Sequence, residues 1–392
     1  MIPLWAVALV VVAALVVLVY HGIAIVFAYQ VPPLAPAPPQ ARDPNAPLVS
    51  VVVAARNEEI DLPAALDSLV AQDYPNLEIV VADGRSTDTT PSIIDARAPR
   101  VRRIAEPPLP PGWVGKNFGC HLGAEATRGP WILFVDADVR LHPAAVRTTV
   151  DWAEQERADL VTIAPRVEMV GPWEKLVLPL MTQLILTYFR TPRVNRDRSR
   201  AAMANGQYLL VRRAAYEAVG GHAAVRAFVL EDVAIARRFR AAGKRLRIAY
   251  APTLATTRLY RDRAEMFEGL LKNVHGFTFS AARQVGFLAA LIGFYLLPLG
   301  LLPLGVVTGT PLWIAVGAFL YVALFGKMVG FARELGAGAR WGLLWPIAVG
   351  FYLALVATSL VRGMRGAPVA WKGRWYRMTV DDLSPVGGRP NR

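Results

Sequence analysis

Residues 131–138 read WILFVDAD, five apolar residues that run into two aspartates one residue apart. A short apolar run rich in branched and aromatic side chains is the mark of a strand buried on both faces, and the abrupt change to carboxylates marks where that strand leaves the core. Three further strand-like runs precede it, at residues 48–54 (LVSVVVA), 78–82 (EIVVA) and 101–105 (VRRIA). Helix-like stretches separate them at 62–71, 87–96 and 116–126. Strands alternating with helices build right-handed βαβ units and a mainly parallel α/β sheet covered on both faces. Ligands of such sheets bind outside the carboxyl ends of the strands. The polar residues just after each run are therefore the first candidates for a site.

The rest of the chain is too apolar for a soluble protein. Of 392 residues, 54% are hydrophobic and 19% charged, with a mean hydropathy of +0.34. Residues 4–28 contain no Asp, Glu, Lys or Arg, long enough at ~1.5 Å per residue to cross a hydrocarbon core of ~30 Å. A cleaved signal peptide fits poorly, because no basic residue precedes the run and Tyr20-His21 stand where small residues belong. Residues 286–326 are uncharged over about twice one crossing, with Thr308-Gly309-Thr310-Pro311 as the natural turn, and 341–361 are uncharged again. The expected organisation is a transmembrane helix in 1–30, a proline-rich linker in 31–47, an α/β domain in 48–285, about three membrane helices in 286–361 and a basic tail in 362–392. The linker holds Pro32, Pro33, Pro36, Pro38, Pro39, Pro44 and Pro47 and reads as a stiff, extended spacer between bilayer and domain.

The formal charge is +13. Arg outnumbers Lys 37 to six, a skew better attributed to base composition than to function. Residues 31–285 carry 33 basic and 27 acidic residues, too even a balance, without interleaved aromatic and basic residues, for a nucleic-acid partner. The single cysteine, Cys120, excludes an intrachain disulfide framework and a multi-cysteine zinc or iron–sulfur site. Short basic loops stay in the cytoplasm, so Lys327, Arg333 and Arg340 place their loop, and by parity the central domain, on the cytoplasmic side of a multi-pass protein of the cell (inner) membrane. The tail conflicts with this count. Arg362, Arg365, Lys372, Arg374, Arg377, Arg389 and Arg392 also favour the cytoplasm, whereas three crossings after the domain place them outside. Either one apolar segment is re-entrant or the rule fails here.

Asp83-Gly84-Arg85-Ser86-Thr87-Asp88 follows the second strand. Gly84 permits a sharp turn, and Asp83 at a strand end can accept hydrogen bonds from a base or ribose. Asp136 and Asp138 project the same way at the end of the fourth strand. Two oxygen donors at that spacing suit a hard divalent cation, Mg or Mn, that also holds a diphosphate. Glu231-Asp232 opens an amphipathic helix carrying Arg237 and Arg238. A carboxylate there is favoured by the helix dipole, and Asp232 is equally placed to act as a general base, with Glu231 as the alternative. Gly206, after Asn205, allows close approach of a ligand to the backbone. Lys116 and the Arg237-Arg238 pair are candidates for stabilising diphosphate charge. Residues 176–189 are apolar but too short to span, and Arg190, Arg193, Arg196, Arg198 and Arg200 are set after or beside them. This reads as an in-plane helix at the membrane surface or as a core helix with a solvated loop.

The order and spacing of VSVVVAARNEE at 49–59, the Asp83 loop, Asp136-Ala137-Asp138 and Glu231-Asp232 resemble family-2 glycosyltransferases of the GT-A fold. Within that family the chain is similar to membrane enzymes that glycosylate lipids: the hopene-associated, carotenoid and ceramide glycosyltransferases. PPLPPGWVGKNFG at 107–119 resembles a segment of the hopene-associated group, and Ala370-Trp371-Lys372-Gly373-Arg374 resembles its tail. The resemblance implies a GT-A (Rossmann-like) domain between one N-terminal and about three C-terminal transmembrane helices. It also implies that Asn57 and Asp83 contact the nucleotide of a nucleotide-sugar donor, that Asp138 holds metal and diphosphate, and that Asp232 is the base. Glu58, Lys116, Asn117 and Gly206 are counted with the donor site. The chain departs from the pattern at Ala82-Asp83, where the family often has two adjacent aspartates. It also lacks the Gln/Arg-x-x-Arg-Trp motif of processive synthases, since Trp371 stands at the needed position before Arg374-Trp375.

The function implied is inverting transfer of a sugar to a hydroxyl of a membrane lipid, hopanoid, carotenoid or sphingolipid-like. Two alternatives stand beside it. One is a polyprenyl-phosphate glycosyltransferase, with the arginine run on the acceptor phosphate. The other is a non-catalytic membrane-anchored binding protein.

Overall fold

The computed structural model describes residues 4–38, 43–278, 281–365, 369–371 and 374–376. The first helix, α1 (Leu4–Tyr29), is followed by β1 (Val49–Ala55), α2 (Leu62–Val70), β2 (Leu77–Asp83), α3 (Thr90–Asp95), β3 (Val101–Ala105), α4 (Gly115–Glu125) and β4 (Trp131–Asp136). The four strands lie parallel in the order β3-β2-β1-β4. Helix α3 is shorter than its apolar pattern suggests because the residues before it are used in turns. The Ser86 N–H donates to Asp83 Oδ1 at 3.0 Å and the Thr90 N–H to Asp88 Oδ1 at 3.0 Å.

The chain continues through β5 (Val139–Leu141), α5 (Ala145–Gln155), β6 (Leu160–Ala164), β7 (Arg166–Val167), α6 (Pro172–Tyr188), β8 (Tyr208–Arg212), α7 (Arg213–Ala218), α8 (Glu231–Ala241), β9 (Leu246–Tyr250) and β10 (Ala255–Thr257). The sheet extends beyond β4 as β8-β6-β9, with β8 antiparallel to both neighbours, so it is mixed but mostly parallel. Alternation along β1 divides the core. Val49, Val51 and Val53 pack with Leu62 and Leu66 of α2 on one face, while Val52 packs with Cys120 and Ala124 of α4 on the other. A small second sheet, β5-β10-β7, sits at the end of β4, pairing Val139 with Thr257.

After the domain come α9 (Arg263–Thr278), α10 (Ala281–Leu291), a π-helical turn (Ile292–Leu296), α11 (Leu297–Thr308), α12 (Pro311–Glu334), α13 (Ala339–Leu343) and α14 (Trp345–Met364). Among the described residues, α12 and α14 are long and apolar enough to cross a membrane. Residues 281–308 make a third candidate, bent by 53° at the π-turn. Gly309, with φ 63°, ends α11 and opens the turn into α12. Residues 11–27 form a shorter apolar stretch within α1. A short antiparallel hairpin pairs Val369–Trp371 with Arg374–Tyr376. Of the expected basic tail, Lys372, Arg377, Arg389 and Arg392 lie outside the described residues.

The proline-rich linker is extended, and residues 32–38 lie against the domain. The Leu34 N–H donates to the Tyr250 carbonyl and the Tyr250 N–H to the Pro32 carbonyl, both at 2.9 Å, so the linker straps onto the free side of β9. Arg147 of α5 donates to the Pro38 carbonyl at 3.0 Å. Prolines leave carbonyls free to accept, and the domain supplies the donors. Residues 39–42 lie outside the described residues.

Helix α4 lies close on β1 because Gly123 has no side chain: a Cβ there would stand 2.3 Å from Val52 Cγ1. Gly123→Ala is expected to destabilise the domain by ~1–3 kcal/mol through overpacking. Combined with Val52→Ala, the loss should fall short of the sum of the two single losses by ~0.5 kcal/mol or more. Thermal unfolding of the three variants checks this, and additive losses would show that the contact is not what limits the packing.

Candidate active site

β1 is the axis of the site. Its last residues pair in register with two carboxylates, Ala55 with Asp83 on β2 and Ala54 with Asp136 on β4. β2 and β3 lie on one side of β1 and β4 on the other, so the chain reverses its winding here and leaves a crevice above the strand ends. The wall on the β2 side is a pair of interlocked loops. Asn57, in the left-handed region at φ 53°, donates its N–H to Ser86 Oγ at 3.0 Å and accepts from the Thr87 N–H at 2.9 Å. Arg56 donates to the Gly84 carbonyl and, at 3.0 Å, to that of Arg85. Asp83 is buried and holds its own turn through Ser86, with Arg103 3.8 Å away. Asn57 and Asp83 thus shape this wall, while Arg56, Glu58 and Gly84 line the crevice.

Four elements meet at the opposite wall. Lys116, in the first turn of α4, places its Nζ 2.6 Å from Asp136 Oδ1 and 2.7 Å from Glu231 Oε1 at the start of α8. Burial opposes the ammonium charge, but the two carboxylates outweigh it and hold the Lys116 pKa well above its usual value. Burial likewise opposes ionisation of Glu231, and Lys116 reverses the balance, keeping its pKa below the usual carboxylate range. Next to it, Asp232 Oδ2 accepts the Gly206 N–H at 2.7 Å and Oδ1 accepts the Val233 N–H at 2.7 Å. Its pKa is pushed up to about 7, first by burial and then by the Glu231 charge. The pair at the start of α8 therefore divides its labour: Glu231 is a fixed anion, and Asp232 is oriented and titrates near neutrality. Gly206 is required for space. A Cβ there would lie 3.0 Å from Lys116 Nζ, 3.1 Å from Glu231 Oε1 and 3.2 Å from Asp232 Oδ2.

Asp138, at the mouth of the crevice, accepts a hydrogen bond from Thr257 Oγ1 at 2.9 Å. Burial, and then the charges of Asp136 and Glu58, lift its pKa to about 7. No cluster of three or more His, Cys, Asp or Glu that could hold a metal exists among the described residues. The all-oxygen pair of Asp136 and Asp138 nevertheless fits a hard dication, which commonly takes one or two carboxylates and completes its shell with substrate phosphates and water. The mutual repulsion that raises Asp138 is what such an ion would relieve.

One cavity of about 470 Å³ joins Lys116, Asp136, Asp138, Glu231, Asp232 and Lys272. Five of the sequence candidates are not among its lining residues: Asn57 and Asp83, which shape the wall behind it, and Asn117, Arg237 and Arg238. Asn117 is fully buried and donates to the carbonyls of Val225, Arg226 and Phe228 at 2.8, 3.1 and 2.9 Å, bracing the segment that leads into Glu231. Arg238 donates to the Val219 carbonyl at 2.8 Å. Arg237 is likewise not a cavity residue. The cations that do line it are Lys116, Arg56 and three from the far side: Arg258, paired with Glu174 at 2.9 Å, Arg261, paired with Asp61 at 2.6 Å, and Lys272. Burial lowers the Lys272 pKa to about 8 against the pull of Glu231. Sequence motifs missed Lys272 because it lies in the middle of α9, well past the last strand, and marks no strand end or turn. A compositional signal existed: with Arg so preferred, a retained Lys marks a place for a compact ammonium rather than a planar fork, and both Lys116 and Lys272 are here.

Residues 50–220 match the profile of Glycosyl transferase family 2, and the domain that contains them belongs to that family. A 4,4'-diaponeurosporenoate glycosyltransferase of Staphylococcus haemolyticus is 29% identical over 196 residues, 49% of this chain and 51% of that protein. The succinoglycan biosynthesis protein ExoO of Rhizobium meliloti is 35% identical over 119 residues, 29% of this chain and 32% of that protein. The chain thus spans about half or less of the length of these curated relatives. In three dimensions it is similar to the mannosyltransferase PcManGT of Pyrobaculum calidifontis, solved with GDP-Man and Mn2+. The TM-score is 0.51 at 16% identity, covering 89% of this chain and 98% of that one. That likeness establishes the GT-A-like fold.

Gly206→Ala should leave the fold intact, because the atoms it meets are side-chain ends, while displacing Lys116, Glu231 and Asp232 together. A loss of ~10²-fold in transfer rate is expected, the scale of a ~1 Å misplacement. Unchanged rates with an unchanged melting temperature would mean that the trio tolerates the shift.

Proposed function

We propose that this chain is an inverting glycosyltransferase that moves a sugar from a nucleotide-sugar donor to a membrane lipid. The observation that carries the reading is the composition of the cavity. Its polar end holds the carboxylates and lysines at the strand ends. Its other end is walled by Met181, Ile185 and Phe189 from α6 and its end, by Phe331 and Leu335 at the end of α12, and by Val31 after α1. A soluble acceptor has no use for an apolar passage between the catalytic residues and helices of membrane-spanning composition. A lipid has. Arg193, Arg196, Arg198 and Arg200 are exposed beside this wall, with Arg193 5.9 Å from the Phe27 ring of α1, in keeping with a seat on anionic headgroups. The carotenoid glycosyltransferase similarity and the nucleotide sugar and Mn2+ of the structural neighbour point the same way.

In this reading Asp136 and Asp138 would hold Mg or Mn, which would neutralise the charge of the leaving nucleoside diphosphate. Lys116 keeps Asp136 and Glu231 from repelling across the crevice, and Lys272 offers a second cation to the diphosphate. Asp232, held by the Gly206 N–H, removes the acceptor proton at its free lone pairs as the oxygen attacks the anomeric carbon. One displacement inverts that carbon. The domain faces the cytoplasm, where nucleotide sugars are made.

A second acceptor chemistry follows from the name of the carotenoid relative, whose "-oate" denotes a carboxylate. A carboxylate arrives ionised and needs no base. The two are separated by Asp232. With a hydroxyl acceptor the base is inactive when protonated, so the rate should fall ~tenfold per unit as pH drops below about 7, and Asp232→Asn should lose ~10²-fold or more in transfer with donor binding retained. With a carboxylate acceptor both effects should be small.

The lipid reading is tested by comparing lipid extracts of cells with and without the chain by mass spectrometry, and by Ile185→Glu. That charge in the apolar wall should reduce transfer to lipid at least ~tenfold while slow donor hydrolysis persists. Equal transfer to small soluble alcohols and to lipid extracts would overturn a lipid acceptor.

A further inference from the structure

Both ends of α14 lie against elements anchored in the catalytic domain. Helix α6 is tied to that domain at each end. Glu174 in its first turn pairs with Arg258, just past β10, at 2.9 Å. In the 3-10 turn that follows it, Asn195 donates to the Ile248 carbonyl of β9 at 2.9 Å. A helix fixed in this way runs along the domain, not away from it. α14 lies antiparallel beside it. At the start of α14, the Trp345 ring is 6.0 Å from Tyr295, whose hydroxyl is bonded to Gln183 near the end of α6. Further on, Phe351 is 6.0 Å from Trp173 at the start of α6 and 5.6 Å from Phe267 of α9. At the end of α14, Ser359 accepts from Gln284 of α10 at 3.1 Å, and Arg362 pairs with Glu268 of α9 at 3.1 Å. α9 in turn delivers Lys272 to the cavity. From Trp345 to Arg362 the helix covers ~25 Å at ~1.5 Å per residue without leaving the domain's flank.

α1 and α12 behave differently. The end of α12 lines the cavity with Glu334 and Leu335, and Val31 does so after α1. In their distant halves, among the described residues, Ala14 and Val17 of α1 pack with Leu301 of α11 and Leu320 of α12, with Phe294 of the π-helical turn beside them. These helices point away from the domain. α10 runs antiparallel to α14, from Gln284 beside Ser359 to the Tyr295 turn beside Trp345, and the 53° bend is the corner at which the chain turns down into α11.

We propose that α1, α11 and α12 carry the chain across the bilayer, and that α14, with α6 and α10, forms a platform lying along the membrane surface. Length and composition make α14 a candidate span; the placement of its two ends overrides them. Its outward face, with Ile347, Val361 and Met364 at 54%, 41% and 68% exposure, would rest in the upper acyl region. Two crossings then follow the domain instead of three. Arg362 and Arg365 at the end of α14 then lie on the domain's side, as do Arg333 and Arg340, and all four obey one orientation rule. The inference concerns topology and stands whether or not the acceptor is a lipid.

The test is labelling of the full chain by a membrane-impermeant maleimide in intact spheroplasts and in inverted vesicles, with buried Cys120 as the silent background. Glu217→Cys reports the domain's side, Thr308→Cys the α11–α12 turn, and Arg365→Cys the end of α14. Arg365→Cys labelling in the preparation that labels Glu217→Cys, with Thr308→Cys in the other, supports the platform. Arg365→Cys labelling together with Thr308→Cys overturns it. Should Arg365→Cys fail to accumulate, a protease site placed after Arg392 of the unsubstituted chain answers the same question. Cleavage from the Glu217 side supports the proposal, and cleavage only from the opposite side refutes it.

Discussion

The Lys116 ammonium, 2.6 Å from Asp136 and 2.7 Å from Glu231, joins parts of the chain that have no other reason to meet. Asp136 ends a parallel strand, Glu231 opens a helix almost a hundred residues later, and Lys116 starts the crossover between β3 and β4. Two carboxylates brought together in a partly buried crevice repel, and burial raises the cost of ionising each. One fixed cation between them makes the arrangement stable and sets the charge state of everything around it. Glu231 remains an anion, its charge raises Asp232, and Asp136 and Glu58 raise Asp138. The cluster is preorganised before any donor enters, which is the condition under which charges in a water-poor site act strongly on a transition state.

The parts of this arrangement that follow from local pattern were legible in the sequence. The four parallel strands, the carboxylates at their ends and the Glu231-Asp232 pair declare themselves through period and strand ends; Gly206 stood out as a glycine, but as room for a ligand and not for the side chains of Lys116, Glu231 and Asp232. What was illegible depends on side-chain direction over long sequence separations. Asn117 and Arg238 have the chemistry of phosphate ligands, but Asn117 is turned away from the crevice beside Lys116 and Arg238 lies in the last turn of α8, away from the end that meets it, and each is spent on backbone carbonyls. Lys272 has no local motif and enters the cavity only because α9 folds back beside it. The antiparallel β8, inserted between β4 and β6, breaks the parallel pattern without any mark in its own apolar run.

The apolar helices illustrate the same limit. Their composition says that a segment tolerates lipid, and says nothing about its direction. Gln284 to Ser359, Glu268 to Arg362 and Trp173 to Phe351 fix that direction. Polar and aromatic contacts of this kind are specific where hydrocarbon packing is permissive, so a few of them orient a helix that its bulk composition leaves free.

The strap formed by Pro32 to Leu34 on Tyr250 has a further consequence for a domain held at a crowded surface. β9 is the last strand of the main sheet, and an open edge of that kind is a template for pairing with another chain. Two hydrogen bonds cover it, and Pro32, Pro33 and Pro36 around Leu34 lack the N–H that an incoming strand would need. At the other edge, β3 presents exposed Arg102 and Arg103, whose charge opposes the same event. The sheet is thus closed to its neighbours at both ends, by a proline-rich strap with few N–H groups to offer and by a strand whose charge repels.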